Sequence, residues 1–240
     1  MRRVLIASLA LNLVGAALAV RALYLRGSWE YVRNRLTGAD VRRDVNMDAA
    51  SYVHRQTLFE RLPVHGRPIV FLGDSLTAGC EWGEFYVGAL NRGIGGDTSA
   101  GVIDRLSTIT QYHPRAIFLM IGINDLVNLK ATPAQTATNI GTILSRIRQA
   151  SPDTAIFLES LLPRGDTRGA IFAREVNQRI RLLADGKTVT YIDLYPAFLD
   201  RTVLNPKFTS DGGHLNGEGY ELWKKMIDPY IQPYLSGPRS

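Results

Sequence analysis

Pro68-Ile69-Val70-Phe71-Leu72-Gly73-Asp74-Ser75-Leu76-Thr77 is the stretch from which the architecture is read. It begins as a short apolar run that ends at a glycine, as a strand buried on both faces of a parallel sheet does. Three later runs have the same form: Ala116-Ile117-Phe118-Leu119-Met120-Ile121, Ala155-Ile156-Phe157-Leu158 and Val189-Thr190-Tyr191-Ile192. Helix-like stretches lie between and after them. Thr132-Pro133 opens one that extends to about Gln149, a cap followed by proline at the first helical position. Ala170 to Ala184 forms another, and Asn216 to about Tyr234 a last one. Strands alternating with helices predict right-handed βαβ crossovers. The expected fold is therefore α/β: a three-layer sandwich with a central, mostly parallel sheet and helices on both faces. Ligands of such sheets bind in the crevice beyond the strand C-termini.

Outside this body the composition shifts. The 240 residues carry a net charge of +6, but residues 1–61 hold 10 Lys/Arg against 5 Asp/Glu, so the body is close to neutral. A domain that reads phosphates should carry a basic stripe, so nucleic acid is not an expected partner. The single cysteine, Cys80, rules out an intrachain disulfide and a four-cysteine zinc site. Val4 to Val20 is a run of 17 uncharged residues in which only Ser8 and Asn12 are polar. That is the lower limit for a helix crossing a bilayer. Residues 1–21 are thus expected to be a membrane anchor, with the body extracytoplasmic. A cleaved signal, suggested by Ala17-Leu18-Ala19, would give a secreted protein instead. Residues 22–64 are expected to form a helical stalk, and residues 65–236 the main domain.

Four polar motifs follow the apolar runs or precede the last helix. Ser75 stands at a strand-to-helix turn, where its hydroxyl is exposed and its N–H lies at a helix N-terminus. That suits a nucleophile which generates an oxyanion beside itself, although Asp and Ser are also ordinary helix caps there. Thr77 excludes a Gly-x-Ser-x-Gly elbow. Asn91-Arg92-Gly93-Ile94-Gly95-Gly96-Asp97-Thr98 lacks the third glycine of a dinucleotide fingerprint, and no Gly-Lys-Ser/Thr is present for a P-loop. In Gly122-Ile123-Asn124-Asp125, Asn124 offers an uncharged donor to the crevice, or simply starts a turn. In Asp211-Gly212-Gly213-His214 the carboxylate can hold the imidazole Nδ1–H and leave Nε2 free to take a proton from a serine.

Gly-Asp-Ser, Gly-Gly-Asp, Gly-x-Asn-Asp and Asp-x-x-His, in this order, resemble the SGNH (GDSL-type) hydrolases over about residues 67–235. Asn91 to Leu106 and Leu161-Leu162-Pro163-Arg164-Gly165 are most similar to the platelet-activating-factor acetylhydrolase catalytic-subunit branch. The resemblance implies Ser75 as nucleophile, His214 as general base and Asp211 as its orienting partner. It implies an oxyanion hole of Ser75 N–H, Gly96 N–H and the Asn124 amide, with no metal or organic cofactor. The implied activity is hydrolysis of carboxylic esters of a lipid or glycan through an acyl-enzyme. An O-acyltransferase using the same intermediate and a membrane-tethered, non-catalytic binding module are the alternatives. Asp193 and Asp200 are weaker candidates than Asp211, for want of a fixed spacing to His214. Cys80, Trp82, Phe85 and Tyr86 read as packing residues, and Arg164 as a head-group ligand or a structural ion pair. Gly213, in place of a bulkier residue, leads to the expectation that acyl groups longer than acetyl can enter. The oligomeric state is not legible.

Overall fold

The computed structural model describes residues 40–235. The chain divides after Ala50 into two compact units, and the fold and the site belong to the second. Helix α1 (Asp40–Arg61) enters that unit at Ser51. Near its end Phe59 is buried, with the guanidinium of Arg92 4.8 Å from its ring centroid.

Five strands, β1 (Ile69–Gly73), β2 (Ala89–Gly93), β3 (Ala116–Met120), β4 (Ala155–Glu159) and β5 (Val189–Ile192), form a wholly parallel sheet in the order β2-β1-β3-β4-β5. Four coincide with the apolar runs; β2 is an addition. Ala89-Leu90-Asn91-Arg92-Gly93 is an edge strand with half-buried Leu90 and Asn91, so it needs no apolar run. A short antiparallel pair, β6 (Leu199–Asp200) and β7 (Val203–Leu204), lies apart from the sheet.

The register sets Phe71, Phe118 and Phe157 side by side across β1, β3 and β4, with ring centroids 5.0 and 4.6 Å apart. Successive strand side chains alternate faces, so this row belongs to one face of the sheet. Trp82 of α3 (Trp82–Phe85) stacks on Phe71 at 3.9 Å and meets Trp223 of the last helix, α10 (Gly217–Leu235), edge-on. The helices α4 (Ser99–Arg105), α7 (Pro133–Ala150) and α8 (Thr167–Ile180) pack against one another to form the other helical layer. On α7, Ile140, Ile143, Leu144 and Ile147 follow helical spacing and are buried. Its start is the expected one, a capping box in which Thr132 and Gln135 exchange hydrogen bonds. Helix α8 begins three residues before the expected Ala170, because Asp166 caps it by accepting from Gly169 N–H at 2.7 Å.

The chain runs outward from β1 to β2 and returns across the sheet to β3. The C-terminal ends of β1 and β3 are therefore the switch point at which a crevice opens. From these ends start the two short helices that carry the site, α2 (Ser75–Ala78) and α6 (Ile123–Val127).

The membrane expectation is corrected. Among the described residues no helix is long and apolar enough to cross a membrane. The two longest, α1 and α10, are interrupted by charged residues, among them Arg55 and Glu60 in α1 and Lys224, Lys225 and Asp228 in α10. The anchored, extracytoplasmic topology and the membrane as a partner are accordingly withdrawn. Val4 to Val20, from which both the anchor and the cleaved-signal readings came, lies outside the described residues.

One buried carboxyl gives the fold a pH signature. Glu159, at the end of β4, accepts a hydrogen bond from Trp223 Nε1–H at 2.7 Å, and burial pushes its pKa up to about 8. The folded chain thus holds this proton more tightly than the unfolded chain. The resulting stability is complete below the ordinary pKa near 4.5 and is lost as pH rises towards 8. Glu159→Gln keeps an acceptor for Trp223 and removes the titration. The variant should gain on wild type by at least about 1.4 kcal/mol between pH 5 and pH 9, the equivalent of one pKa unit. Thermal unfolding of both proteins at the two pH values checks this; parallel behaviour would show that Glu159 does not titrate in the fold.

Candidate active site

Asp74 follows β1 directly and caps α2, its Oδ1 accepting from Leu76 N–H at 3.0 Å. Its Oδ2 has no partner among the described residues, and burial pushes the carboxyl up to about 7. With Asp74 supplying the cap, the neighbouring Ser75 hydroxyl is left for other work. Ser75 Oγ lies 3.0 Å from His214 Nε2, across 139 residues of chain. His214 Nδ1 lies 2.7 Å from Asp211 Oδ2.

The loop that brings His214 there is held by its own backbone. Asp211 Oδ1 accepts the N–H groups of Gly213 and His214 at 2.8 and 2.7 Å. The His214 N–H, then the His214 ring and the Gly213 N–H, hold the Asp211 carboxyl well below the usual carboxylate range. It is therefore a carboxylate throughout the neutral range. The pair lies at the rim, with His214 57% and Asp211 54% exposed, so geometry rather than burial fixes the imidazole. Gly212 has φ +76°, and Gly165 N–H donates to its carbonyl at 2.7 Å. A Cβ on Gly165 would stand 2.7 Å from Gly212 Cα, so the two loops meet backbone to backbone.

Asn124 arrives from the end of β3, after Gly122, whose φ of +128° suits glycine. Its Nδ2 donates to Asp97 C=O at 2.9 Å and its Oδ1 accepts from Asn128 Nδ2 at 3.2 Å, which fixes the amide orientation. An amide nitrogen carries two hydrogens, so one N–H remains for the cavity. Asp97 is itself clamped. It forms a buried ion pair with Arg105 at 2.8 Å, and Arg105 Nη2 also donates to Gly73 C=O and Arg92 C=O. Burial raises the Asp97 carboxyl, and Arg105 opposes that shift.

A cavity of about 140 Å³ opens at these groups. Ser75, Asn124, Gly213 and His214 line it, facing an apolar side made by Leu76, Met120, Ile123, Val127, Leu161 and Leu162. Gly96 does not line it; it lies exposed, one residue before Asp97 and so next to the carbonyl that holds Asn124. Beside Gly213 lies Arg164, whose Nη1 a Cβ there would meet at 3.0 Å.

Trp82 and Tyr86 are buried in the core, whereas Phe85 is exposed. Cys80 is buried, and its thiol is pushed up to about 12 by that burial, which leaves no reactive thiolate. Asp193 pairs with Arg181, and Asp200 belongs to the small β6–β7 pair, so neither joins His214. The clamp of Asp97 by Arg105 was not found from sequence, since an arginine within a helix reads as a solvated residue. Thr209, whose Oγ1 accepts from Gly212 N–H at 2.9 Å, was also missed, although Thr-x-Asp is a turn signal. Among the described residues no group of three or more His, Cys, Asp or Glu is placed to hold a metal ion.

Residues 71–222 match the GDSL-like Lipase/Acylhydrolase family, well over half of the chain. The chain belongs to that family. This GDSL-like acylhydrolase is 31% identical over 165 residues to the rat platelet-activating factor acetylhydrolase IB subunit alpha1, covering 63% of this chain and 69% of the relative. It is 29% identical over 179 residues to the rat alpha2 subunit, with 70% and 77% covered. Solved structures share the fold. A GDSL-like lipase from Bacteroides thetaiotaomicron superposes with a TM-score of 0.65 at 24% identity, covering 77% of this chain and 98% of that one. A lipase/acylhydrolase from Enterococcus faecalis gives 0.58 at 24% identity, with 72% and 100% covered. The acylhydrolase is thus a carboxylic ester hydrolase that works through a serine-bound acyl-enzyme.

Proposed function

We propose that Ser75 is the nucleophile, His214 the general base and Asp211 its orienting carboxylate, acting on a short-chain ester of a lipid or glycan. The observation that carries this reading is the continuous hydrogen-bonded chain from Ser75 Oγ through His214 to Asp211. His214 Nε2 takes the hydroxyl proton as Ser75 Oγ bonds to the ester carbonyl carbon. The negative charge that develops on the carbonyl oxygen is met by the Asn124 amide and the Ser75 N–H, the two donors that line the cavity. Collapse expels the alcohol, which receives the proton from His214, and a water activated by the same imidazole cleaves the acyl-enzyme.

The cavity limits the acyl group. Its volume of about 140 Å³ is a few times the ~30 Å³ share of a liquid water. Acetyl and butyryl groups fit such a space; an octanoyl chain overruns it. We expect kcat/KM for p-nitrophenyl acetate and butyrate to agree within about tenfold, and that for octanoate to be lower by a further tenfold or more. A flat profile to octanoate would place the acyl chain outside this cavity. The curated relatives are named as acetylhydrolases of platelet-activating factor, and removal of an acetyl group lies within the same range. The deciding experiment is product analysis over acetyl esters, lysophospholipids and O-acetylated sugars, with Ser75→Ala as control. Free acid as the product supports hydrolysis, and an acylated acceptor would instead make the protein a transferase.

A further inference from the structure

Arg164 stands at the cavity that Ser75 and His214 share, with its side chain 29% exposed. Two glycines make room for it. A Cβ on Gly213 would come within 3.0 Å of Arg164 Nη1, and one on Gly169 within 2.8 Å of Arg164 Cγ. The guanidinium therefore lies against bare backbone beside His214. Its Nε–H is shielded from solvent and has no hydrogen-bond partner among the described residues. The nearest carboxylate, Asp166, is 3.8 Å from Nε, beyond hydrogen-bond range, and is 61% exposed. The other oxygen of Asp166 is committed to capping α8. Exposed pairs of this kind contribute little. The two Nη groups are not shielded as Nε is and have no hydrogen-bond partner among the described residues, so an acceptor in the cavity that Arg164 lines can reach them.

We propose that Arg164 recognises an anionic oxygen group, carboxylate or phosphate, carried by the ester itself within a few bonds of the scissile carbonyl. This rests on the serine-hydrolase reading of the same cavity and narrows its substrate class to anionic esters. The planar fork of a guanidinium matches both groups, and it keeps its charge at every assay pH.

The test compares neutral 4-nitrophenyl acetate with three anionic esters. These are 4-nitrophenyl hemisuccinate (charge on the acyl side), 3-carboxy-4-nitrophenyl acetate (charge on the alcohol side) and an acetyl glycerol phosphate. Dividing the anionic-to-neutral ratio of kcat/KM in each variant by that in wild type cancels the intrinsic reactivity of each ester. Arg164→Gln is expected to lower that ratio about tenfold or more for at least one anionic ester, which also tells on which side the charge sits. Arg164→Lys should keep part of the preference. Asp166→Asn, which retains the cap but removes the competing carboxylate, should raise it. A ratio in Arg164→Gln within twofold of wild type for all three esters, while 4-nitrophenyl acetate is still cleaved, would overturn the assignment. If wild type cleaves none of the four, the hydrolase reading falls and this one with it.

Discussion

Ser75→Ala is expected to lower kcat for every ester substrate by about 10⁴-fold or more, with little change in thermal stability. The size of the loss follows from the way the machinery acts as a unit. Without the hydroxyl, the base has no proton to take and no acyl-enzyme can form. What remains is the hydrogen-bonding site for the carbonyl oxygen, which supports only a small residual rate with water as attacker. The fold should be indifferent, because the cap of α2 is Asp74 and the hydroxyl of Ser75 is engaged with His214 alone among the described residues. Steady-state kinetics paired with thermal unfolding separates the two effects. A loss below tenfold would mean that water attacks the ester directly and that Ser75 is a bystander.

Asn124→Ala should cost about 10²–10³ in kcat, or about 2.7–4 kcal/mol of transition-state stabilisation. The amide is held in place from both ends, by Asp97 C=O and by Asn128, so its remaining N–H need not reorganise as charge develops. A group that acts only on the developing oxyanion changes kcat and leaves KM nearly alone. Asn124→Asp sharpens the test. The shape is kept, but an acceptor replaces a donor, facing both the Asp97 carbonyl and the incipient oxyanion. It should be at least as damaged as alanine. A rise in KM at constant kcat would assign Asn124 to ground-state binding, and a change under threefold would remove it from the site.

The parts of this molecule that were readable in advance are those with a local signal. Four strands announce themselves as apolar runs because both faces of the sheet are covered, and α7 does so through Thr132-Pro133 and its buried stripe. Ser75, Asn124, Asp211 and His214 were visible because each follows a strand or precedes the last helix, where the topology places the crevice. What stayed hidden depends on contacts distant in sequence. The edge strand β2 has too little burial to show a pattern. Arg105 looks like any helical arginine until the sheet brings Gly73, Arg92 and Asp97 around it. Arg164 lies against Gly213, a relation between two loops 49 residues apart that no local signal announces. The membrane anchor was inferred from length and hydrophobicity in a segment beyond the described residues, and no described helix supports it.

Covalent trapping is the most direct probe of the meeting of Ser75, His214 and Asp211. Incubation of the full chain with a fluorophosphonate, followed by peptide mass mapping, should place a single adduct on Ser75. The adduct should be absent from Ser75→Ala and form much more slowly in His214→Ala. Labelling at another residue, or labelling of Ser75 at the same rate without the imidazole, would contradict the account.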